Sequence, residues 1–294
     1  MLNKRIYESI IKKEPLSKGW SEDKKYCVST ADGIKYLLRL SPISQYETKK
    51  LLFDMTKQIT ELDVPMCVPI EFGVCGNEVY TIQSWINGID LETVLPSLPE
   101  KDQYSLGLQA GEILKKIHSI QIPEPQEDWA VKFNRDVDAK IQEYRELGVK
   151  FDGDEHVFSY IENNRHLLET RPQSFLVWDY NILNMMFENN SLQIIDFEYY
   201  NIGDPWNEFC AIVWSAYSSP HFAAGQIHGY FNSEPPTEFF NLLTLYISVL
   251  LLTLLSSWAV KSEFGRDVTL NFSQDLLKWT DNLVNPVPSW YFTP

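Results

Sequence analysis

The chain has 294 residues, 44% of them hydrophobic, so it can form a substantial core in one large domain or in two closely packed ones. Its 40 acidic and 25 basic residues give a net charge of −15, which disfavours nucleic acids and anionic membranes as partners and favours cations, unless the acidity serves only solubility. The 4 cysteines are widely spaced without a CxxC pair, which argues against a zinc site or a disulfide framework. Because the charged N-terminus also lacks the apolar segment of a signal peptide, we expect a cytoplasmic protein.

The first third of the chain has the pattern of a sheet with one intervening helix. Strand-like sequences on both sides of the Ala-Asp-Gly turn at 31–33 predict a β-hairpin, and a second pair of strands flanks Cys-Gly-Asn at 75–77. Between these hairpins, apolar residues recur at helical spacing over residues 45–62. We therefore expect strands and one helix over residues 16–85.

After Gly88 the sequence pattern is mainly helical. Apolar residues at helical spacing predict helices over 103–120, 133–147 and 156–168, a β-like patch interrupts them, and the remainder from 204 to 283 is mostly helical. A sheet followed by a helical region is an α+β arrangement.

One segment of this region is apolar enough to be considered for a membrane span. Residues 239–260 carry no charged side chain and are long enough to cross a bilayer. However, polar residues interrupt the segment, and Glu238 before it and the single Lys261 after it are not the basic flanks of a membrane span. The pattern predicts a buried central helix and no membrane contact, with membrane attachment as the weaker alternative.

Three polar residues have the order and spacing that phosphoryl transfer needs. Asn184 follows Asp179 by five residues, and Asp196 ends an apolar strand-like sequence. Kinases use one Asp to orient the acceptor hydroxyl, and an Asn and a second Asp to hold Mg²⁺ against the phosphates. Turn formers around a hairpin, with a strand-end cap, are the structural alternative. The complete set, with Gly-Asp-Pro downstream at 203–205, favours catalysis.

This stretch resembles the aminoglycoside phosphotransferase family, which includes choline-kinase-like small-molecule kinases. The family pattern is His-Gly-Asp-x-x-x-x-Asn followed by Ile-Asp-Phe/Trp, and this chain has VWDYNILN at 177–184 and IDFE at 195–198. The resemblance extends over nearly the whole chain, through GWSEDKKY at 19–26, KYLLRL at 35–40, SWINGIDLETVL at 84–95, AGEILKKIHSI at 110–120 and GDPWNEF at 203–209.

The resemblance implies an α+β, protein-kinase-like fold of two lobes. A small antiparallel-sheet lobe over residues 1–87 would bind the nucleotide, and a large, mainly helical lobe over 88–294 would bind the substrate and carry catalysis. The cofactors implied are Mg²⁺ and ATP or GTP. Asp179 would be the catalytic base or substrate-orienting residue, and Asn184 and Asp196 would be the magnesium ligands. Glu198 would assist them or be an exposed strand-end residue.

The residues before Asp179 depart from the family pattern. Val177 replaces a His that serves mainly as a scaffold, and valine cannot make its hydrogen bond. Trp178 replaces a Gly that provides room and backbone freedom. Two interpretations stay open: the loop is reshaped, which weakens catalysis or changes the acceptor pocket, or both side chains pack into the core and leave Asp179 in place.

The nucleotide-binding residues also depart from the pattern. Arg39 stands on the predicted third strand where the family has Lys or, in some branches, Arg, and it can pair with phosphates and a carboxylate as a rigid fork. A solvated strand-edge Arg is the alternative. Leu52 stands where a helix Glu usually pairs with this base, so we predict that Glu47, ahead of Asp54, takes that role.

Two further segments are expected to contact the nucleotide. Ser21 could give its hydroxyl and backbone N–H groups to the phosphates, although the sequence is neither GxGxxG nor a Walker loop and a plain turn is the alternative. The predicted hinge, from Gln83 to Ile86, should offer backbone groups to the base. Trp85 would then pack beside the base, with a place in the core as the alternative.

We therefore expect an enzyme, a phosphotransferase with an alcohol group as acceptor, that moves the γ-phosphate of ATP or GTP to a small molecule. The acceptor is expected to be cationic, aminoglycoside-like or an amino alcohol, because Glu198, Asp204 and Glu208 would attract a cation. The alternative is a catalytically impaired kinase-like protein that binds a nucleotide or another ligand, which Val177 and Trp178 motivate. Monomer and homodimer both stay open.

Overall fold

The computed structural model describes residues 5–16, 23–123, 126–148, 150–197 and 199–293. The chain divides into two compact units. The first unit contains Met1–Val94 and Asn184–Tyr200, and the second contains Leu95–Leu183 and Asn201–Pro294. A short segment from the second half of the chain therefore belongs to the first unit. The lobe boundary expected between 87 and 88 stays a prediction.

The first unit is built on a five-stranded antiparallel sheet with the strand order β1-β2-β3-β5-β4. Its strands are β1 (Ile10–Leu16), β2 (Lys24–Thr30), β3 (Lys35–Pro42), β4 (Pro69–Cys75) and β5 (Glu78–Ser84). Both predicted hairpins are confirmed, and each turn has a glycine at positive φ, Gly33 at 82° and Gly76 at 59°. Strand β1 was not predicted, because its exposed lysines and glutamate have the composition of a loop, yet it pairs with β2 as an edge strand.

One helix, α1 (Tyr46–Thr60), packs on this sheet and confirms the predicted helix. Its buried residues are Phe53, Thr56 and Ile59. The sheet itself has a buried cluster of Val28, Leu38, Leu40, Tyr80 and Ile82. This packing fixes the helix against the strands that carry the predicted nucleotide-binding residues.

Short strands later in the chain form two small sheets, one in each unit. Strands β6 (Ile89–Asp90), β8 (Met185–Glu188) and β9 (Ser191–Ile194) form a three-stranded sheet in the first unit, beside the short helix α2 (Leu91–Val94), while β7 (Ser174–Leu176) pairs with β10 (Asn201–Gly203) in the second. Consequently β7 leads into the loop that carries Asp179. The β8–β9 hairpin lies in sequence between Asn184 and Asp196, the two predicted magnesium ligands.

The second unit is mainly helical, as predicted. Its helices are α3 (Glu100–Ile117), α4 (Trp129–Leu147), α5 (Asp154–Asn164), α6 (Ile212–Ser218), α7 (Pro220–Phe231), α8 (Thr237–Ser257) and α9 (Glu263–Trp279). Helix α8 is long and apolar enough to cross a membrane, but 72% of its most hydrophobic 18-residue segment is buried inside the protein. The prediction of a buried central helix is therefore confirmed.

Helices α3 and α7 approach each other more closely than most side chains would allow. A Cβ atom added to Gly111 would lie 2.1 Å from Gln226 O, and one added to Gly229 would lie 2.0 Å from Leu108 O. Both distances are far inside van der Waals contact, so the two backbones touch through glycines. This contact fixes the part of α3 around Ala110, which accepts a hydrogen bond from the loop that carries Asp179.

Candidate active site

The loop from Val177 to Leu183 follows β7 and is fixed to the buried parts of the second unit at three points. Its anchoring hydrogen bonds are Val177 N–H to Glu208 Oε2 (2.9 Å), Tyr180 O–H to Ala110 O of α3 (2.8 Å) and Ile182 N–H to Ser215 Oγ of α6 (3.1 Å). All three are buried, where a hydrogen bond resists exchange with water. The loop is therefore a rigid support for the residues it exposes.

Asp179 is exposed on this loop, and its carboxylate is held by a neighbouring side chain. Asn181 Nδ2 donates to Asp179 Oδ1 at 2.7 Å and to its backbone oxygen at 3.1 Å. The amide oxygen of Asn181 accepts from Leu183 N–H at 2.9 Å. Because Asn181 is completely buried, its side chain is itself fixed and holds the Asp179 carboxylate in one rotamer. Sequence reasoning missed Asn181; the Asp-x-Asn spacing was a signal, but it indicates only a turn.

The two carboxylates downstream of this loop are structural. Arg171 binds Asp204 through two hydrogen bonds, Nε to Oδ2 at 2.6 Å and Nη2 to Oδ1 at 3.1 Å, and Tyr246 O–H donates to Asp204 Oδ2 at 2.6 Å. Both Asp204 and Glu208 are buried. The expectation that they present charge to a cationic ligand is therefore wrong, because neither side chain reaches solvent and one is neutralised by arginine.

A buried histidine lies beside Glu208. The His118 Nε2 atom is 3.8 Å from Glu208 Oε2, and its Nδ1 atom is 3.0 Å from Tyr230 Oη. Because Glu208 also accepts the Val177 N–H, this group of side chains holds the start of the catalytic loop. His118, which caps the C-terminal end of α3, therefore has a structural role.

In the first unit, the β8–β9 hairpin places Asn184 and Asp196 at the same end. Ile195 N–H donates to Asn184 O at 3.0 Å, just beyond the last paired residues, Met185 and Ile194. Asp196 has a φ of 70°, a left-handed conformation that Asp tolerates better than most residues. The predicted pair of magnesium ligands is thus brought together at one hairpin end.

Arg39 on β3 pairs directly with Asp196. Its Nη2 atom lies 2.9 Å from Asp196 Oδ1, and the side chains are 11% and 30% exposed, respectively. Lys25 of β2 is directly opposite Arg39 in the sheet register. Burial first, and the charge of Arg39 second, lower the pKa of Lys25. Two cations on adjacent strands therefore concentrate positive charge beside Asp196.

A small, partly open cavity of about 30 Å³ adjoins Arg39 in the same unit. It is lined by Asp23, Arg39, Lys49, Leu52, Phe53, Thr56, Thr81, Gln83 and Phe197. Helix α1 contributes Lys49 to this lining, and Lys49 Nζ pairs with Asp23 Oδ2 at 2.7 Å. Glu47 is exposed in the first turn of α1, and Asp54 pairs with Lys50 at the surface. The role proposed for Glu47 stays a prediction.

The predicted hinge follows β5. Gln83 lines the cavity, Trp85 is half-buried, and Ile86 is buried. The next residue, Asn87, donates its N–H to Glu188 Oε1 of β8 at 2.6 Å, which ties the hinge to the hairpin. Ser21 and Glu198 lie outside the described residues.

Comparison with known proteins places the chain among phosphotransferases. Residues 13–240 match the sequence model of the phosphotransferase enzyme family, abbreviated APH. The chain belongs to this family. A search of curated proteins found no significant match.

Solved structures of two aminoglycoside phosphotransferases and of an amicoumacin kinase have the same fold as this phosphotransferase. APH(2")-IIa in a ternary complex with streptomycin and ATP is 19% identical, with 95% of this chain and 97% of that one covered and a TM-score of 0.64. A thermostable mutant of APH(4)-Ia with ADP and hygromycin B is 17% identical, with 93% and 94% covered and a TM-score of 0.64. Amicoumacin kinase is 11% identical, with 94% and 90% covered and a TM-score of 0.63. The expected kinase-like α+β fold is confirmed.

Against this family, the departure at 177–178 has two different structural outcomes. Val177 is buried, as the core-packing interpretation requires. Trp178 is 46% exposed and has a φ of 61°, so the core-packing interpretation is wrong for this residue. A glycine adopts that φ without strain, whereas a bulky side chain does not. At this position the phosphotransferase therefore has a backbone conformation that suits glycine, and it carries an exposed indole there.

The donor set at the β8–β9 hairpin fits the Mg²⁺ that the sequence resemblance implies. One carboxylate and one amide oxygen, from Asp196 and Asn184, are hard oxygen ligands, and Mg²⁺ is commonly bound by one or two such side chains together with substrate phosphates and water. No group of three or more His, Cys, Asp or Glu side chains that could hold a metal exists within the described parts of the chain. The hairpin residues are thus the metal-binding candidates of this phosphotransferase.

Proposed function

We propose that this phosphotransferase is a cytoplasmic small-molecule kinase that transfers the γ-phosphate of ATP or GTP to a hydroxyl group of a cationic acceptor. The observation that carries the proposal is the exposed carboxylate of Asp179, which is fixed by Asn181 on a loop with three buried anchors. A carboxylate held in one orientation is what positioning of an acceptor hydroxyl requires.

Each site residue has a distinct role in the proposed reaction. Asp179 orients the acceptor hydroxyl and accepts its proton as the oxygen–phosphorus bond forms and the bond from the γ-phosphorus to the departing nucleoside diphosphate breaks. Asn184 and Asp196 would hold Mg²⁺, which, when bound, would neutralise negative charge on the phosphate oxygens. Arg39 adds a cation that can bind phosphate oxygens through its planar fork.

Support for the acceptor comes from charge and from relatives. The net charge of −15 attracts cations over long distances. Structures with the same fold were solved in complex with streptomycin, with hygromycin B or with the ligand of amicoumacin kinase, so this architecture binds such small molecules in other proteins. The acceptor of this chain is proposed to carry amino groups and at least one hydroxyl.

A catalytically impaired, ligand-binding protein is the second candidate. The replacement of the family's His-Gly by Val177 and Trp178 favours it, since the scaffold histidine is lost. In the structure, Glu208 accepts the N–H of Val177 and anchors the loop at this position. This contact supports the active enzyme over the impaired one.

Substitution of Asp179 tests the proposal. Asp179→Asn preserves size but removes the charge, so phosphate transfer to acceptors such as streptomycin, gentamicin and choline should be abolished while nucleotide binding is retained. Asp267→Asn, which neutralises an exposed carboxylate on α9, is the matched control and should be fully active. Full activity of the Asp179→Asn variant would exclude the assigned role, and loss of nucleotide binding would show a structural effect.

A further inference from the structure

The catalytic loop has a sharp pattern of buried and exposed side chains. Val177, Tyr180, Asn181 and Ile182 are buried, whereas Trp178, Asp179 and Leu183 are exposed. Two of these three exposed residues are large and apolar, with 46% exposure for Trp178 and 43% for Leu183. An apolar surface next to a fixed carboxylate is the composition of a small-molecule site, in which apolar groups supply contact area and a few polar groups set orientation.

The backbone shows that the exposure of Trp178 is imposed by its surroundings. Its φ of 61° lies in the left-handed region, which is unfavourable for a bulky residue, and Asp179 follows at 67°. The hydrogen bond from Val177 N–H to Glu208 on one side and the bonds of Asn181 on the other hold the chain in this conformation. Unfavourable conformations that are fixed in this way cluster at functional sites.

We propose that Trp178, together with Leu183, forms the acceptor-recognition surface and stacks against a ring that carries the reacting hydroxyl. This inference rests on the proposed function and narrows its acceptor. An aromatic ring presents a flat face to an indole, and a sugar or cyclitol ring presents a face of C–H groups. An open-chain amino alcohol has no such face. Because Asp204 and Glu208 are buried, they cannot contact an acceptor. The exposed indole, next to Asp179 in sequence, can.

Three variants separate recognition from folding. Trp178→Gly removes the ring and suits the observed φ, Trp178→Phe keeps an aromatic face, and Leu183→Ala removes the apolar neighbour. Phe264→Ala, at a 65% exposed aromatic residue of α9, is the matched control. Each protein is titrated with Mg·ATP, and its kcat and KM are measured with streptomycin, gentamicin and hygromycin B as ring acceptors and with choline as the open-chain acceptor.

The proposal predicts that wild type phosphorylates at least one ring acceptor in preference to choline. Trp178→Gly should raise the KM for that acceptor about threefold to tenfold, with Trp178→Phe and the Phe264→Ala control close to wild type. Nucleotide affinity and melting temperature should not fall. An unchanged KM in Trp178→Gly, or phosphorylation of choline alone or of no ring acceptor, would overturn it. Absence of Mg·ATP binding to wild type would instead remove the proposed function.

Discussion

The guanidinium of Arg39 is paired with the carboxylate of Asp196, Nη2 to Oδ1, at 2.9 Å. Arg39 lies on a central strand of the sheet, and Asp196 lies just beyond the β8–β9 hairpin. Because the arginine is largely buried, its charge needs a partner more than a surface charge would. The pair therefore links the sheet to the candidate metal ligands within the first unit.

We predict that Arg39→Met weakens binding of the magnesium–nucleotide complex by about tenfold or more. The substitution removes a phosphate-binding cation and leaves Asp196 without this ion pair, and truncating one partner of a buried charged pair costs about 2 kcal/mol or more. Arg39→Lys keeps the charge but loses the planar fork, so its affinity for the magnesium–nucleotide complex should lie between those of wild type and Arg39→Met. Calorimetric titration measures this, and wild-type affinity in Arg39→Met would contradict the assigned role.

Substitution of Asn181 should lower kcat without changing nucleotide affinity. In Asn181→Ala the Asp179 carboxylate loses its fixed orientation, and small displacements of a catalytic group cost about a hundredfold in rate. Asn181→Asp retains an oxygen for Leu183 N–H but places a second negative charge beside Asp179, so it should also be impaired. Steady-state kinetics provide the readout; full activity in both variants would show that Asn181 does not position Asp179.

The α3–α7 contact predicts a large difference between two glycine substitutions. In Gly229→Ala the added methyl group would meet Leu108 O at 2.0 Å, so the helices must separate, at a cost of about 2 to 4 kcal/mol. Gly76→Ala meets nothing within 4 Å and suffers only from its φ of 59°, for which about 1 kcal/mol is expected. Urea unfolding compares the two, and equal losses would mean that close helix contact is not decisive.

We predict that His228 makes the stability of the folded protein depend on pH. Its Nδ1 atom is 3.0 Å from Tyr104 Oη and its Nε2 atom 2.7 Å from Tyr291 Oη. Burial lowers the pKa of His228 below its ordinary value of 6.5, although the charge of Glu234 opposes this. The unfolded chain therefore binds a proton at higher pH than the folded protein does.

The sign follows from this difference in proton binding. The contribution of His228 to stability is complete above pH 6.5 and is lost as the pH falls through 6.5 towards the folded-state pKa. The free energy of unfolding, compared at about pH 7.5 and about pH 5, should fall more in wild type than in His228→Gln. An equal fall in both proteins would assign the acid sensitivity to other groups.

Regular elements and the spacing of Asp179, Asn184 and Asp196 were predictable from sequence because both are local. Turn residues at 31–33 and 75–77 determine the hairpins within a few residues. An apolar strand pattern followed by an aspartate likewise marks the end of β9 without knowledge of tertiary contacts.

The exposure of Trp178 was not predictable in this way. FLVW has the composition of a buried strand, and Phe175, Leu176 and Val177 are buried, but the chain then enters the left-handed region at Trp178. The Lys49–Asp23 pair joins residues 26 apart, and its existence depends on which face of α1 packs on the sheet. Neither feature has a signal in the neighbouring sequence.

The central claim, a nucleotide-dependent phosphotransferase, is tested most directly by calorimetric titration of the purified protein. ATP and GTP are each added with and without Mg²⁺, and Asp196→Asn is titrated in parallel. The account predicts binding of at least one nucleotide that requires Mg²⁺ and is lost in Asp196→Asn, while the exposed-carboxylate variant Asp267→Asn binds as wild type does. Absence of binding to both nucleotides, or magnesium-dependent binding that survives in Asp196→Asn, would contradict it.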